Sequence, residues 1–128
     1  MEARDLTVGL AGGRIAIGVV SVLAPGLVSG TMAGRDASTG GTRLFVRMLG
    51  ARDLALGVGV LTALDRGAPV RGWLEASAVV DGIDAAACVR GRDHLRWGVF
   101  PAVVGLAASG ALLSAWLARE LDPAEEPR

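Results

Sequence analysis

The chain has 128 residues, just over half of them apolar, and its 13 basic and 13 acidic side chains give a formal net charge of zero. This length is enough for one domain. The neutral balance provides no electrostatic field that would attract nucleic acid, so we expect no nucleic-acid partner. Cys88 is the single cysteine, which excludes an intrachain disulfide and a cysteine-based metal site.

The first predicted helix runs from about residue 6 to residue 29. The 20 residues from Ile15 to Gly34 carry no charge, and about 20 apolar residues rising 1.5 Å each cross a hydrocarbon core of roughly 30 Å. A helix of a soluble bundle would show a polar face every three to four residues, and a cleaved signal peptide would have a shorter apolar stretch. The segment therefore predicts a membrane-spanning helix that Pro25 bends or ends in its last turn.

Three more helices are predicted, at about 43–64, 70–89 and 95–118. A Gly-, Ser- and Thr-rich loop at 31–42 precedes the second helix, a turn with Gly67 and Pro69 precedes the third, and a polar turn at 90–94 precedes the fourth. The fourth helix contains 22 uncharged residues, from Trp97 to Ala118. The sequence thus predicts an all-α, up-down bundle of four transmembrane helices over residues 1–118.

This bundle is predicted to be a multi-pass protein of the cell membrane, with the lipid bilayer as its main surroundings. A polar tail at 119–128 is expected to be disordered. Trp73, Trp97 and Trp116 lie near predicted helix ends, where tryptophan suits the headgroup level. Arginines divide evenly between the two sides, so the orientation stays open. One row of small residues predicts a helix packing face: Ala51, Ala55, Gly59 and Ala63.

Seven ionisable side chains fall inside the predicted spans, and each would cost about 2.5–3.5 kcal/mol if it faced lipid near a helix centre. They are Arg14, Arg47, Arg52, Asp53, Glu75, Asp81 and Asp84. This cost predicts that they meet one another inside the bundle. Similar depths in an up-down topology predict the pairs Arg14 with Glu75, and Arg47 or Arg52 with Asp81 or Asp84.

Helical periodicity places several of these groups on common faces. One stripe on the first helix consists of Arg14, Gly18, Ser21 and Pro25, and one on the third consists of Ser77, Asp81, Asp84 and Cys88. The first and fourth helices contain the long uncharged runs that are typical of membrane spans, whereas the second and third contain most of the charges. The sequence therefore predicts an apolar helix pair that encloses a polar hairpin.

Two short motifs resemble a known group of proteins. The run from Arg47 to Gly57 (RMLGARDLALG) and the segment Asp81-Gly82-Ile83-Asp84 resemble small bacterial four-helix membrane proteins that are broadly DoxX-like. In these, a "GAR-acid-L-x-x-G" segment on the second helix precedes a "D-x-x-D" segment on the third. The resemblance implies a four-helix membrane fold and an association with membrane redox or stress complexes. The single cysteine does not match thiol redox chemistry.

Several functions fit this pattern. The first is a non-enzymatic membrane protein, either an accessory subunit of a membrane partner or homo-oligomer, or a binder of a hydrophobic ligand through the buried Arg/Asp cluster. The second is a membrane-embedded acid–base enzyme of isomerase, cyclase or hydrolase type. Its candidate catalytic residues are Asp81, Asp84, Arg52 and Asp53.

Two further interpretations stay open. A proton or ion path would use the same aspartates as relay groups, and a purely structural role would use the charges only as buried ion pairs. No cofactor is expected. No metal site is expected either, because His94 is the single histidine and lies in a turn beside arginines.

Overall fold

The computed structural model describes residues 2–34 and 36–121, which form five α-helices and one short 3-10 turn. The helices are α1 (Ala3–Leu23), α2 (Pro25–Met32), α3 (Gly40–Asp65), α4 (Arg71–Arg90) and α5 (Phe100–Leu121). Within this described part no strand forms, and the protein is all-α as predicted. The 3-10 turn, Arg92–His94, lies in the connection between α4 and α5.

The first predicted helix is divided in two at Pro25. Proline lacks a backbone N–H and its ring opposes continuation of the preceding helix, so α1 ends at Leu23 and Pro25 becomes the first residue of α2. The chain therefore changes direction at Ala24. The sequence predicted that Pro25 bends or ends the helix, and in the structure the helix ends there.

The last helix begins and ends later than predicted. Backbone bonds hold the segment before it against the end of α2: the Arg96 N–H donates to the Met32 carbonyl over 3.1 Å, and Ala33 forms an isolated bridge with Leu95. Because these residues pair across the molecule, α5 starts only at Phe100. Its helix continues to Leu121, so the predicted tail is helical at its start, and residues 122–128 of the tail lie outside the described residues.

Local chemistry defines both ends of α3. The hydroxyl of Thr39 accepts a bond of 3.1 Å from the Thr42 N–H, which caps the N-terminus. At the C-terminus Gly67 adopts a φ of 61°, and the N–H of Ala68 donates to the Ala63 carbonyl over 2.9 Å. This is a Schellman motif, in which glycine takes the left-handed position without a steric penalty. The turn with Gly67 was correctly predicted.

Tight packing joins α1 to α3 through glycines. A Cβ at Gly18 would lie 2.7 Å from the Gly50 carbonyl oxygen, and one at Gly57 would lie 2.8 Å from the Ala11 carbonyl oxygen. The two backbones thus approach closely in antiparallel directions. The predicted packing row on α3 is right only in its second half: Ala63 is buried in the core and Gly59 lies against Trp73, whereas Ala51 and Ala55 are exposed. The face that contacts α1 lies about half a turn from the middle of this row, where Gly50 and Gly57 lie.

The helices associate chiefly as two pairs, α1 with α3 and α4 with α5, and α3 and α4 touch each other at few positions. The predicted polar hairpin of α3 and α4 is therefore wrong, since each polar helix packs against an apolar one. The pairs meet in a core at one end of the bundle. Its buried members are Ala11, Val60, Ala63, Val70, Leu74, Leu117 and Ala118.

Two of the described helices, α1 and α5, are long and apolar enough to cross a bilayer. Much of the outer surface is also apolar. Large exposed side chains include Leu23, Leu27, Leu112 and Trp97, the last with 92% of its surface exposed. A water-facing surface is normally interspersed with charged and polar groups, so this distribution supports a membrane setting.

Candidate functional site

Arg14 is the centre of the buried polar groups and joins three helices. Only 8% of the residue is exposed, because Gly18 and Ser21, on the same face of α1, press that face onto α3. Its guanidinium donates over 3.2 Å to Oδ1 of Asp53 on α3, and it also contacts Oδ2 of Asp81 on α4. The face of α1 predicted to carry this arginine is buried along its whole length.

A second arginine continues the cluster on α3. Arg52 forms a bidentate pair with Asp84, with nitrogen–oxygen distances of 3.1 and 2.7 Å, and it donates to Oδ1 of Asp53 over 3.2 Å. Parallel bonds from a guanidinium to one carboxylate fix the orientation of both groups. We name the resulting series of contacts the Arg–Asp chain: Asp81, Arg14, Asp53, Arg52 and Asp84, in spatial order.

The Arg–Asp chain contains three carboxylates and two guanidinium groups. With all five ionised its net charge is −1, and a net charge in a low-dielectric setting needs a counter-charge or a polar partner. The exposed fraction of the side chains differs between the two ends of the Arg–Asp chain. Arg14 is buried at one end, whereas the side chains of Arg52 and Asp84 are 29% and 31% exposed. The open end thus lies between α3 and α4.

Two of the predicted ion-pair partners are wrong and one pair is confirmed. Arg52 does pair with Asp84. Glu75 does not meet Arg14; it is exposed on α4 and accepts a bond of 2.7 Å from Arg71, four residues before it. Arg47 pairs with no aspartate within residues 2–34 and 36–121; it is exposed and donates from Nε to the Val22 carbonyl over 3.2 Å.

Helix α5 contributes residues to this region that the sequence argument missed. A Cβ at Gly110 would lie 2.6 Å from Oδ2 of Asp81, so the absence of a side chain there makes room for the carboxylate. One turn further along α5, Ser114 is fully buried. The signal was present in the sequence, because a glycine and a serine four residues apart share a helix face.

An open groove of about 390 Å³ lies between α3 and α4, on the side where Arg52 and Asp84 of the Arg–Asp chain are partly exposed. It is lined by Ala55, Val58, Gly59, Thr62, Ala63, Arg66, Ala68, Pro69 and Trp73. Trp73 lies flat against Gly59, where any side chain on α3 would meet the indole ring. Ala55 is three residues after Arg52, so the groove begins one helical turn from the exposed ion pair.

Within the described residues the remaining candidate groups form no ion pair with the Arg–Asp chain. Cys88 is half-buried near the end of α4, and His94 lies on the surface, 3.3 Å from a carboxylate oxygen of Asp36. Among the residues that the structure describes, no three histidine, cysteine or acidic side chains converge as a metal site. Asp81 and Asp84, the predicted catalytic pair, each contact a different arginine.

Comparisons with protein-family models, curated proteins and solved structures found no match to this chain.

Proposed function

We propose that the chain is a multi-pass protein of the cell membrane that binds a hydrophobic small molecule through the Arg–Asp chain. In this proposal α1, α3, α4 and α5 all cross the bilayer. The apolar surfaces of α1 and α5 support it, and so does the ion pairing of Arg52, Asp53, Asp81 and Asp84 with one another and with Arg14. The resemblance to DoxX-like proteins is part of the same proposal.

One observation carries the binding function: the partly exposed ion pair of Arg52 and Asp84 lies one helical turn from an open, mostly apolar groove. Arg52 and Asp84 offer donors and acceptors at mid-helix, and the groove between Ala55 and Trp73 offers small side chains and an aromatic face. Ligand sites in proteins combine a mostly apolar cavity of about 300–1,000 Å³ with a few fixed polar groups. The volume and lining of this groove fit that description.

The charge of the Arg–Asp chain narrows the class of ligand. Its excess carboxylate disfavours an anionic headgroup, because like charges repel strongly where water is scarce. A hydroxyl headgroup instead accepts from Arg52 and donates to Asp84 without adding charge. We therefore propose an amphiphile with a neutral, hydrogen-bonding head and an apolar tail that lies against Trp73.

The test uses Trp73 as a reporter. Substituting Trp97→Phe and Trp116→Phe leaves Trp73 as the one tryptophan. Bromine atoms of a molecule bound beside it quench its fluorescence. The probe is a dibrominated monoacylglycerol added to the protein in detergent, and we expect saturable quenching. Asp84→Asn removes a charged acceptor and is expected to weaken binding roughly tenfold.

Two alanines on the same helix provide a matched pair of variants. Ala55→Leu fills the groove and is expected to abolish saturable quenching, whereas Ala51→Leu, one turn earlier and outside the groove, is expected to leave it unchanged. The corresponding dibrominated fatty acid is expected to bind more weakly than the neutral probe. Linear quenching that is identical in both leucine variants would show that the probe merely dissolves in the detergent, and the proposal would be rejected.

A further inference from the structure

Two buried hydroxyls between α4 and α5 have no hydrogen-bond partner among the residues that the structure describes. They belong to Ser77, which is 1% exposed, and Ser114, which is 0% exposed. Buried polar side chains are nearly always paired, so each such group calls for an explanation. Ordinary helix packing would place alanine at both positions at no cost in polar desolvation.

The register of the two helices brings both hydroxyls to one level beside Asp81. Gly110 of α5 lies directly against the carboxylate of Asp81 on α4. Because α4 and α5 are antiparallel, the residue one turn before Asp81 on α4 lies opposite the residue one turn after Gly110 on α5. These positions are Ser77 and Ser114, so two hydroxyls and a carboxylate line one stretch of the α4–α5 interface.

The carboxylate at this place is only partly engaged. Arg14 contacts Oδ2 of Asp81, and within the described residues no donor contacts Oδ1. Each serine hydroxyl oxygen keeps lone pairs that can act as ligands. The stretch thus presents three hard oxygen atoms beside a cluster whose net charge is −1.

We propose that Asp81, Ser77 and Ser114 bind a monovalent cation, sodium in preference to potassium. A single positive charge neutralises the Arg–Asp chain, whereas a divalent ion would reverse its charge. Carboxylate and hydroxyl oxygens are the donors that hard cations prefer. Ser77 and Ser114 are 1% and 0% exposed, so the space beside their hydroxyls is tight and favours the smaller ion. The proposal uses Oδ1 of Asp81, because Oδ2 contacts Arg14 and lies against Gly110, and it does not depend on a ligand in the α3–α4 groove.

The experiment measures sodium itself. The purified protein in detergent is held at constant ionic strength with choline chloride, and sodium or potassium chloride replaces the choline stepwise while Tm and the binding of radioactive sodium are recorded. We expect a saturable rise in Tm with sodium, because an ion that binds only the folded state stabilises it. Potassium is expected to give a smaller rise at the same concentration.

Serine variants localise the effect. Ser77→Ala and Ser114→Ala each remove one ligand and are expected to weaken the apparent sodium affinity about tenfold or more, and Ser109→Ala, at an exposed position of α5, is expected to behave as the native protein. Native protein that responds equally to choline, sodium and potassium would refute the cation site, and so would unchanged sodium binding in both buried variants. Neither result depends on the monoacylglycerol measurement, which uses no sodium titration.

Discussion

Arg14 holds the two helix pairs together by contacting carboxylates on α3 and α4 at once. Arg14→Gln leaves the buried Asp81 without a cation, while Asp53 keeps Arg52, and removing one partner of a buried ion pair typically costs about 3–5 kcal/mol. We therefore expect the free energy of unfolding, measured by denaturant titration in detergent, to fall by about that amount. The loss is expected to be larger than for any single exposed charge.

Glu75→Gln is the comparison for this prediction. Glu75 and Arg71 form an exposed pair four residues apart on α4, and such pairs contribute about 0.3–0.5 kcal/mol. Its substitution is expected to change the unfolding free energy hardly at all. Equal losses for Arg14→Gln and Glu75→Gln would contradict the central position that the geometry gives to Arg14.

The partners of the charged residues could be predicted only where depth and helix face agreed. Arg52 and Asp84 satisfy both conditions, and they pair. Glu75 matches Arg14 in depth, but it precedes Asp81 by six residues, which turns it about 240° around α4, away from the polar stripe. Depth alone therefore gave the wrong partner. The bond from Arg47 to the Val22 carbonyl could not be predicted, because it depends on the end of α1 at Leu23.

At the scale of helix pairs, the contact of α1 with α3 depends on glycines whose neighbours are backbone atoms. Gly18→Ala would place a Cβ 2.7 Å from the Gly50 carbonyl oxygen. Because backbone cannot rotate aside as a side chain does, the helices must separate, and such overpacking typically costs about 1–3 kcal/mol. Thermal unfolding in detergent is expected to show a lower Tm for this variant.

Gly13→Ala, five residues earlier on the same helix, is the matched control. A Cβ there meets nothing within 4 Å, and alanine has a higher helix propensity than glycine. Its Tm is expected to stay equal or rise. If both alanine variants lowered Tm equally, the cost would come from glycine replacement in general and not from the α1–α3 contact.

The sequence predicted where the helices begin and end better than it predicted which of their faces are buried. Pro25, Gly67 and the polar residues near His94 predicted where the chain turns, because the chemistry of these residues is local. The row from Ala51 to Ala63 was indistinguishable by composition from the row that contains Gly50 and Gly57. Small residues are abundant in this chain, so only the position of the neighbouring helix decides which row is buried.

For the whole molecule, the number of long helices was predictable, and their pairing was not. Uncharged runs mark α1 and α5 directly. The Arg–Asp chain joins α1 to α3 through Arg14 and Asp53, and it joins this pair to α4 through Arg14–Asp81 and Arg52–Asp84. The charges that weaken α3 and α4 as membrane segments are thus the same groups that connect the two pairs.

The proposed four-span topology can be separated from one in which only α1 and α5 cross the bilayer. In a Cys88→Ser background, Ala68→Cys and Ser38→Cys each place one thiol at an exposed position between helices. With four spans, residue 68 lies on the side of the N-terminus and residue 38 on the opposite side. With two spans, both residues lie opposite the N-terminus.

An impermeant maleimide applied to right-side-out and inverted vesicles is expected to label the two thiols from opposite sides. Labelling of both from one side would reject the four-span topology, and with it the placement of the Arg–Asp chain at membrane depth.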